Sequence, residues 1–398
     1  MPSDMDPTAG PGDAPELVHN LRRLRDARKL SQAELAERAQ LSRVAYGAIE
    51  AGSSKPRVQT LLRIAQVLGV SLKELMAPVR VLKAVRFRAH KRMTSREQIL
   101  IDAARWLDNY NELEQLVGDR IAWAFDPLRR TLGERPPGRV RALAAAEQAR
   151  QALGLRKDDS IRDICGLLEE RGGIKVHPLR LLSDAFFGLS VAREEGGPAI
   201  VVNVWERISV ERWIFTAAHE LGHLLLHLGA YDVSQTEEDS AEEAEADQFA
   251  SHFLMPDDLF WREWNEARGL PLIERVFKVK RIFRVSYKTV LYRLSEQEAY
   301  GKEIWQRFET DYQRAHGQPL LVADEPERLP PELFQAAMVE PRAAGEPVRL
   351  DHAEFVEDRL SLLVRTALEK EAISLGRAAE ILEVDLKTMR SRVASWVA

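Results

Sequence analysis

A mostly α-helical chain carrying one small β-sheet, an α+β protein, is what this sequence predicts, on three observations. Apolar stripes at helical spacing, separated by capping signals, fill residues 16–76. Three short β-rich runs bounded by turn residues lie between 174 and 203. Long amphipathic patterns occupy much of the rest. At 398 residues and 45% hydrophobic, the chain can bury two or three cores. No apolar run approaches the roughly 20 residues of a membrane span, and no secretory leader is apparent. The single cysteine, Cys165, excludes a disulfide framework and a cysteine-rich zinc site, so a cytoplasmic protein with a buried, inert thiol is expected.

Met1 to Pro15, rich in Pro, Gly and Asp, is expected to be disordered. A helical unit follows over 16–78, opened by Leu17, Leu21 and Leu24. Ser31-Gln-Ala-Glu34 is a capping box for its second helix, and Ser42 caps a third that runs to Glu50 and stops at Gly52. Leu61, Leu62, Ile64, Ala65, Leu68 and Val70 supply a fourth stripe, and Ser71 caps a fifth helix. From Glu16 to Met76 eleven Lys or Arg outnumber six Asp or Glu, in a chain whose net charge is −5. Positive charge therefore collects where a phosphate backbone would need it.

Residues 79–94, with alternating Val, Arg and Lys, fit a linker or a short strand. A larger domain spans 95–300. Ile99–Leu107 and Val140–Leu153 read as helices leading into it, and Gly172-Gly173 ends them. Ile174–Val176, Gly188–Ala192 and Ala199–Asn203 then form a small sheet that packs on the next helix. An edge strand of that sheet could hold an extended peptide by β-addition. Val285–Leu294 is a capped helix. In the last part, 301–398, six prolines between Gln318 and Pro347 make a loop or linker, after which Phe355–Lys370 is amphipathic. Ile373–Arg392 weakly resembles a second helix-turn-helix, with a docking or dimerisation hairpin an equal alternative.

His219-Glu220-Leu221-Gly222-His223 carries the chemistry. Its apolar flanks, Trp213–Phe215 and Leu224–Leu226, place it on a buried helix, where residues i and i+4 share a face. His219 and His223 can then converge on one metal ion. Glu220, adjacent but not a ligand, can take a proton from water and return it to a leaving amine. His227 lies about 80° around the helix from His219, so it is read as core packing or support for a ligand. Downstream, Glu243 and Asp247 stack at i and i+4 of another helix. Glu243 is the candidate third ligand. Asp247 can accept the outer N–H of a ligating histidine. The bland reading of Glu243 is a solvated charge, because Asp232–Asp247 holds eight acids and no base.

Arg212-Trp-Ile-Phe215-Thr216-Ala-Ala218-His219-Glu220-Leu-Gly222-His223, with Glu243-x-x-Ala246-Asp247-x-Phe249-Ala250 and Phe253-Leu-Met-Pro256, resembles the ImmA/IrrE zinc metallopeptidases over roughly 165–300. The resemblance implies a zincin-like fold with zinc, or manganese in its place, on His219, His223 and Glu243. Glu245 is a weaker alternative ligand, turned about 200° from Glu243. Ser31-Gln32-x-x-Leu35-Ala36, Ile49-Glu50-x-Gly52 and Pro56 resemble the Cro/cI-type (XRE) helix-turn-helix regulators. That resemblance implies double-stranded operator DNA as partner. Gln32 should touch phosphate, Ser42, Arg43 and Val44 should lie at the reading end of the third helix, and Lys55 and Arg57 should clamp the flank. Tyr46 is read as core. A homodimer is expected, since palindromic half-sites demand twofold symmetry.

Together the two halves imply a transcriptional regulator with a zinc endopeptidase that cleaves a repressor or antitoxin in stress, prophage or toxin–antitoxin control. The alternative is a metal- or effector-sensing transcription factor or antitoxin that cuts nothing.

Overall fold

Capping chemistry and apolar spacing produce two units in the computed structural model. It describes residues 15–28, 30–70, 72–76, 80, 82–89, 96–183, 185–227, 239–297, 299–321, 324–331, 334 and 358–396. One unit comprises residues up to Val81 with Ser95–Asp102, and the other comprises Leu82–Thr94 and the chain from Ala103 on.

The first unit contains α1 (Pro15–Ala27), α2 (Gln32–Arg38), α3 (Arg43–Glu50), α4 (Val58–Leu68) and α5 (Leu72–Leu75). The Ser31 hydroxyl accepts from the Glu34 N–H, and the Glu34 carboxylate accepts from the Ser31 N–H at 2.8 Å, closing the first turn of α2. Ser42 caps α3 by accepting from the Ala45 N–H at 3.1 Å. Leu21, Leu35, Tyr46, Ile49, Leu61, Ile64 and Leu68 form one core. Tyr46 is thus a packing residue. Leu62 is a correction: at 45% exposed it lies off the stripe, because one residue past Leu61 is about 100° around α4. Pro15 is another, since it opens α1, where the missing proline N–H costs nothing. Residues 1–14 and Ser71 lie outside the described residues.

The second unit is built on a four-stranded mixed sheet of β1 (Val85–Ala89), β2 (Lys175–Leu179), β3 (Phe186–Val191) and β4 (Ala199–Asn203), in the order β1-β3-β4-β2. β2 and β4 are parallel, and β3 runs antiparallel to both its neighbours. β4 is buried along its whole length, as its continuous Ala-Ile-Val-Val run requires. The Val/Arg alternation near residue 85 becomes a strand because β3 supplies a partner.

Helices extend this unit: α6 (Arg96–Val117) from Ala103 on, α7 (Asp126–Gly133), α8 (Arg139–Ala152) and α9 (Ile164–Gly166), which runs into a π turn at Leu167–Arg171. After the sheet come α10 (Val210–Leu226), α11 (Ser240–Leu254), α12 (Asp257–Glu266), α13 (Leu272–Phe283), α14 (Tyr287–Ser295) and α15 (Glu303–His316). α10 is buried on nearly every face and packs on β3, β4, α8 and α11. Cys165 is buried in the same core, and burial pushes its thiol up, as expected of an inert cysteine.

The described residues after 317 are held against the rest of the unit. The described part of the proline-rich stretch is held in place: the Leu329 N–H donates to Glu211 at 2.9 Å, Glu325 pairs with buried Lys280 at 3.1 Å, and Phe334 packs edge-on against Trp213. Beyond it, α16 (Arg359–Glu369), α17 (Leu375–Ile381) and α18 (Leu386–Trp396) follow. The first two dock on α6 through Arg359 with Glu114 (3.3 Å), Lys370 with the Val117 carbonyl (2.9 Å) and Arg377 with Glu112 (2.6 Å). The helix-turn-helix-like hairpin is thus a docked element, and no helix among the described residues is long and apolar enough to cross a membrane.

Glu169, buried in the π turn, gives a measurable consequence. Burial pushes its carboxyl up to about 8, against hydrogen bonds it accepts from the Val176 N–H and the Tyr110 hydroxyl. Its ordinary value is 4.5, so folding takes up a proton, and the stability this contributes is full below about 4.5 and fades as pH rises towards 8. Urea midpoints measured between about pH 5 and about pH 8 should fall less in Glu169→Gln than in wild type. Equal slopes in the two proteins contradict the assignment.

Candidate metal centre and DNA-reading helix

Two helices bring the motif residues together because small residues let them touch. A Cβ on Gly222 would meet Phe249 at 3.0 Å and the Ala246 backbone at 3.4 Å, so glycine allows α11 to lie close on α10. Gly188 does the same for β3, where an added Cβ would meet Thr216 at 2.6 Å and the Val201 carbonyl at 2.9 Å. Glu220 thereby lies directly under β3, its Cγ 3.5 Å from that virtual atom.

His219, His223 and Glu243 converge, with one donor atom from each within 4.8 Å of the others. The two Nε2 atoms are 2.8 Å apart, and each lies 3.2 Å from a Glu243 oxygen. Asp247 stands 2.7 Å from His219 Nδ1. The solvated-charge reading of Glu243 therefore gives way, since its carboxylate is turned inward and only 17% exposed.

His227 and Glu245 were not read as a pair from the sequence, and the structure joins them. His223 Nδ1 is 2.8 Å from His227 Nδ1, and His227 Nε2 is 3.0 Å from Glu245. Glu245 in turn accepts from Arg141 Nε at 2.6 Å and from the Gly138 N–H at 3.0 Å. It faces away from the cluster, which removes it as a ligand. Arg141 and His227 hold its carboxyl down at about 2, outweighing the opposing effect of burial. The two-residue offset between Glu243 and Glu245, nearly opposite on one helix, was the available signal.

These contacts fix the tautomers. Ionised Glu245 only accepts, so His227 Nε2 carries hydrogen, its Nδ1 accepts, and His223 Nδ1 donates to it. Asp247 likewise draws the hydrogen of His219 to Nδ1. Burial, with the charges of His219 and Arg86, holds the His223 imidazole well below its usual range and thus neutral. Burial opposes ionisation of Glu243; an imidazole that carries hydrogen on Nε2 lowers its carboxyl by donating to it, and in the tautomers above that hydrogen has left Nε2. Two nitrogen lone pairs and a carboxylate then point at one spot, an arrangement that is repulsive unless a cation sits between them. Zinc ligands at about 2.05 Å in a tetrahedron are roughly 3.3 Å apart, so the cluster suits that ion with a small opening.

Arg86 of β1 completes the surroundings, donating to Glu243 at 3.1 Å and pairing with Glu242. A cleft of about 920 Å³ opens nearby, bounded by Phe187, Arg212, Phe215, Asp247 and Tyr292. Arg212 stacks over the Phe187 ring at 4.6 Å.

In the first unit, Arg43 and Val44 open α3 and are exposed, Val44 at 82%. Ser42, Lys55 and Arg57 are exposed and Gln32 is half-buried at the start of α2. Glu50, at the far end of α3, is buried and held by Arg25 of α1 at 3.0 and 2.7 Å. The N-terminal end of α3 is thus solvated, while the other end is locked to the core.

Comparisons with known proteins agree with this division. The IrrE N-terminal-like domain family, a peptidase family, matches residues 169–295, and the helix-turn-helix family matches residues 21–75. A Bacillus subtilis (strain 168) protein, "Uncharacterized HTH-type transcriptional regulator YqaE", is 40% identical over 57 residues, 14% of this chain. The chain spans about half the length of that relative, 49%. The solved structure of ComR from Streptococcus suis aligns over 76% of this chain and 78% of its own at 11% identity, with a TM-score of 0.15. Residues 21–75 thus match a helix-turn-helix family, and residues 169–295 match the IrrE N-terminal-like peptidase family.

Proposed function

We propose that this chain is a DNA-binding transcriptional regulator whose second unit is a zinc-dependent endopeptidase, acting on a protein such as a repressor or antitoxin. The observation that carries the reading is the convergence of His219, His223 and Glu243 donor atoms, with Glu220 one residue from the first ligand on the same buried helix.

His219, His223 and Glu243 would hold the ion, Asp247 orienting the first imidazole and His227 with Glu245 the second. Zinc bound there supplies Lewis acidity toward a water molecule and the scissile carbonyl. Glu220 takes a proton from that water and delivers it to the leaving amine. In the first unit, Gln32, Lys55 and Arg57 contact phosphates, while Ser42, Arg43 and Val44 sit at the groove. The protein works as a homodimer on a twofold operator.

The reading makes three predictions. Purified wild-type protein should contain one zinc per chain and cleave a candidate repressor, whereas Glu220→Gln should retain the metal and lose cleavage. Metal content by elemental analysis and product bands decide this, and a fully loaded wild type that leaves every candidate intact favours the binding-only regulator. Second, Glu245→Gln should weaken zinc affinity about 10–100-fold in chelator competition, because His227 loses its charged anchor. An unchanged affinity means the relay does not support His223. Third, Arg43→Ala should relax discrimination at one base pair by ~1–3 kcal/mol, while Lys55→Ala weakens binding evenly across sequences. If both variants weaken every sequence alike, Arg43 reads no base.

A further inference from the structure

The IrrE-like region contributes β2, β3 and β4, and in that set β3 is an edge strand, lying over Glu220 at Gly188. An edge strand over a catalytic carboxylate is where an extended peptide would align by main-chain hydrogen bonds. In this chain that edge is taken. β1, drawn from the segment just after the helix-turn-helix unit and outside the matched region, pairs antiparallel with β3, from Val85 opposite Val191 to Arg88 opposite Gly188.

The side chain of Arg86 shows how far the occupation goes. It reaches from the strand into the cluster, 3.1 Å from Glu243 and paired with Glu242, and is only 10% exposed. Correspondingly, His219, Glu220 and His223 are 0% exposed. The groups that would do the chemistry are thus closed off from solvent, and the charge beside the acidic corner is the guanidinium of the chain's own strand.

We propose that β1 is a resident substrate mimic: it holds the place of an extended, basic peptide segment whose arginine enters the corner made by Glu242 and Glu243, and substrate gains access when β1 leaves β3. This rests on the peptidase reading and adds both the substrate class and the means by which the site is kept closed. Glu243, once turned to a metal ion, leaves Glu242 as the partner of the incoming arginine.

A reversible lock tests the occupation. Ala192 N donates to the Ala84 carbonyl, so 84 and 192 form a hydrogen-bonded pair and Val85 and Val191 the adjacent non-hydrogen-bonded pair. Cα atoms in such a pair are about 4.5 Å apart, within disulfide range. The native Cys165 is buried and leaves the engineered pair as the reacting thiols. The probe is a fluorescein-labelled synthetic peptide of residues 83–89, Lys-Ala-Val-Arg-Phe-Arg-Ala, and the readout is anisotropy on full-length protein carrying Glu220→Gln, so that binding is read without turnover.

The oxidised Val85→Cys/Val191→Cys protein should not bind the probe, and reduction with a phosphine should restore binding. Arg86→Pro, which removes both the ion pair and a ladder donor, should bind about tenfold more tightly than the unmodified strand, as expected if the free edge is populated to about one part in ten. A probe with alanine at the Arg86 position should bind more weakly to every form. Equal binding to the oxidised and reduced proteins overturns the proposal, and because those two share one sequence, misfolding of Arg86→Pro cannot rescue it. Binding that follows the lock while metal-loaded Arg86→Pro protein with Glu220 intact cleaves no candidate would remove the peptidase reading and leave the resident strand standing.

Discussion

Close contact between α10 and α11 is the constraint on which the second unit depends. Gly222 sits inside the His219–His223 pentapeptide, and a Cβ there would lie tightly against Phe249 at 3.0 Å and touch the Ala246 backbone at 3.4 Å. Only with the helices this close can Glu243 reach two imidazoles on the neighbouring helix while Asp247, one turn on, reaches the outer nitrogen of the first. The opposite side of α11 sends Glu245 to His227 by the same proximity. One glycine thus permits both orienting carboxylates.

Such an arrangement is expensive in desolvation, and the structure offsets it with charge partners rather than with solvent. Arg141 satisfies Glu245, Lys280 lies with Glu211 and Glu325 at the start of α10, and Arg293 joins Asp257 and Glu296 behind α11. Removing one member of a buried pair leaves the other uncompensated, which typically costs 3–5 kcal/mol. The helix-turn-helix unit follows the same rule on a smaller scale, with Arg25 and Glu50 tying α1 to the end of α3.

Much of this was legible beforehand where chemistry is local. Ser31 and Glu34 announce a capping box that depends on three residues of spacing, and the structure forms it. His219 and His223 share a face because helical geometry leaves no alternative. Leu62 was misassigned because an apolar residue adjacent to a stripe is indistinguishable from a member of it until the neighbouring helices show which arc they cover. The roles of Glu245, His227 and Arg86 were illegible for a different reason: each depends on a partner 18 to 157 residues away.

The sequence alone determined the helices, their caps, the basic balance of the first unit and the identity of the groups able to bind a cation, since these follow from side-chain chemistry and periods of two and 3.6 residues. Tertiary structure decided which acid turns inward, which tautomer each histidine holds, that the C-terminal hairpin docks on α6, and that β1 closes the sheet beside the cluster. Those outcomes depend on close approach between distant segments, where hydrogen-bond geometry and excluded volume select among choices that local patterning leaves equal.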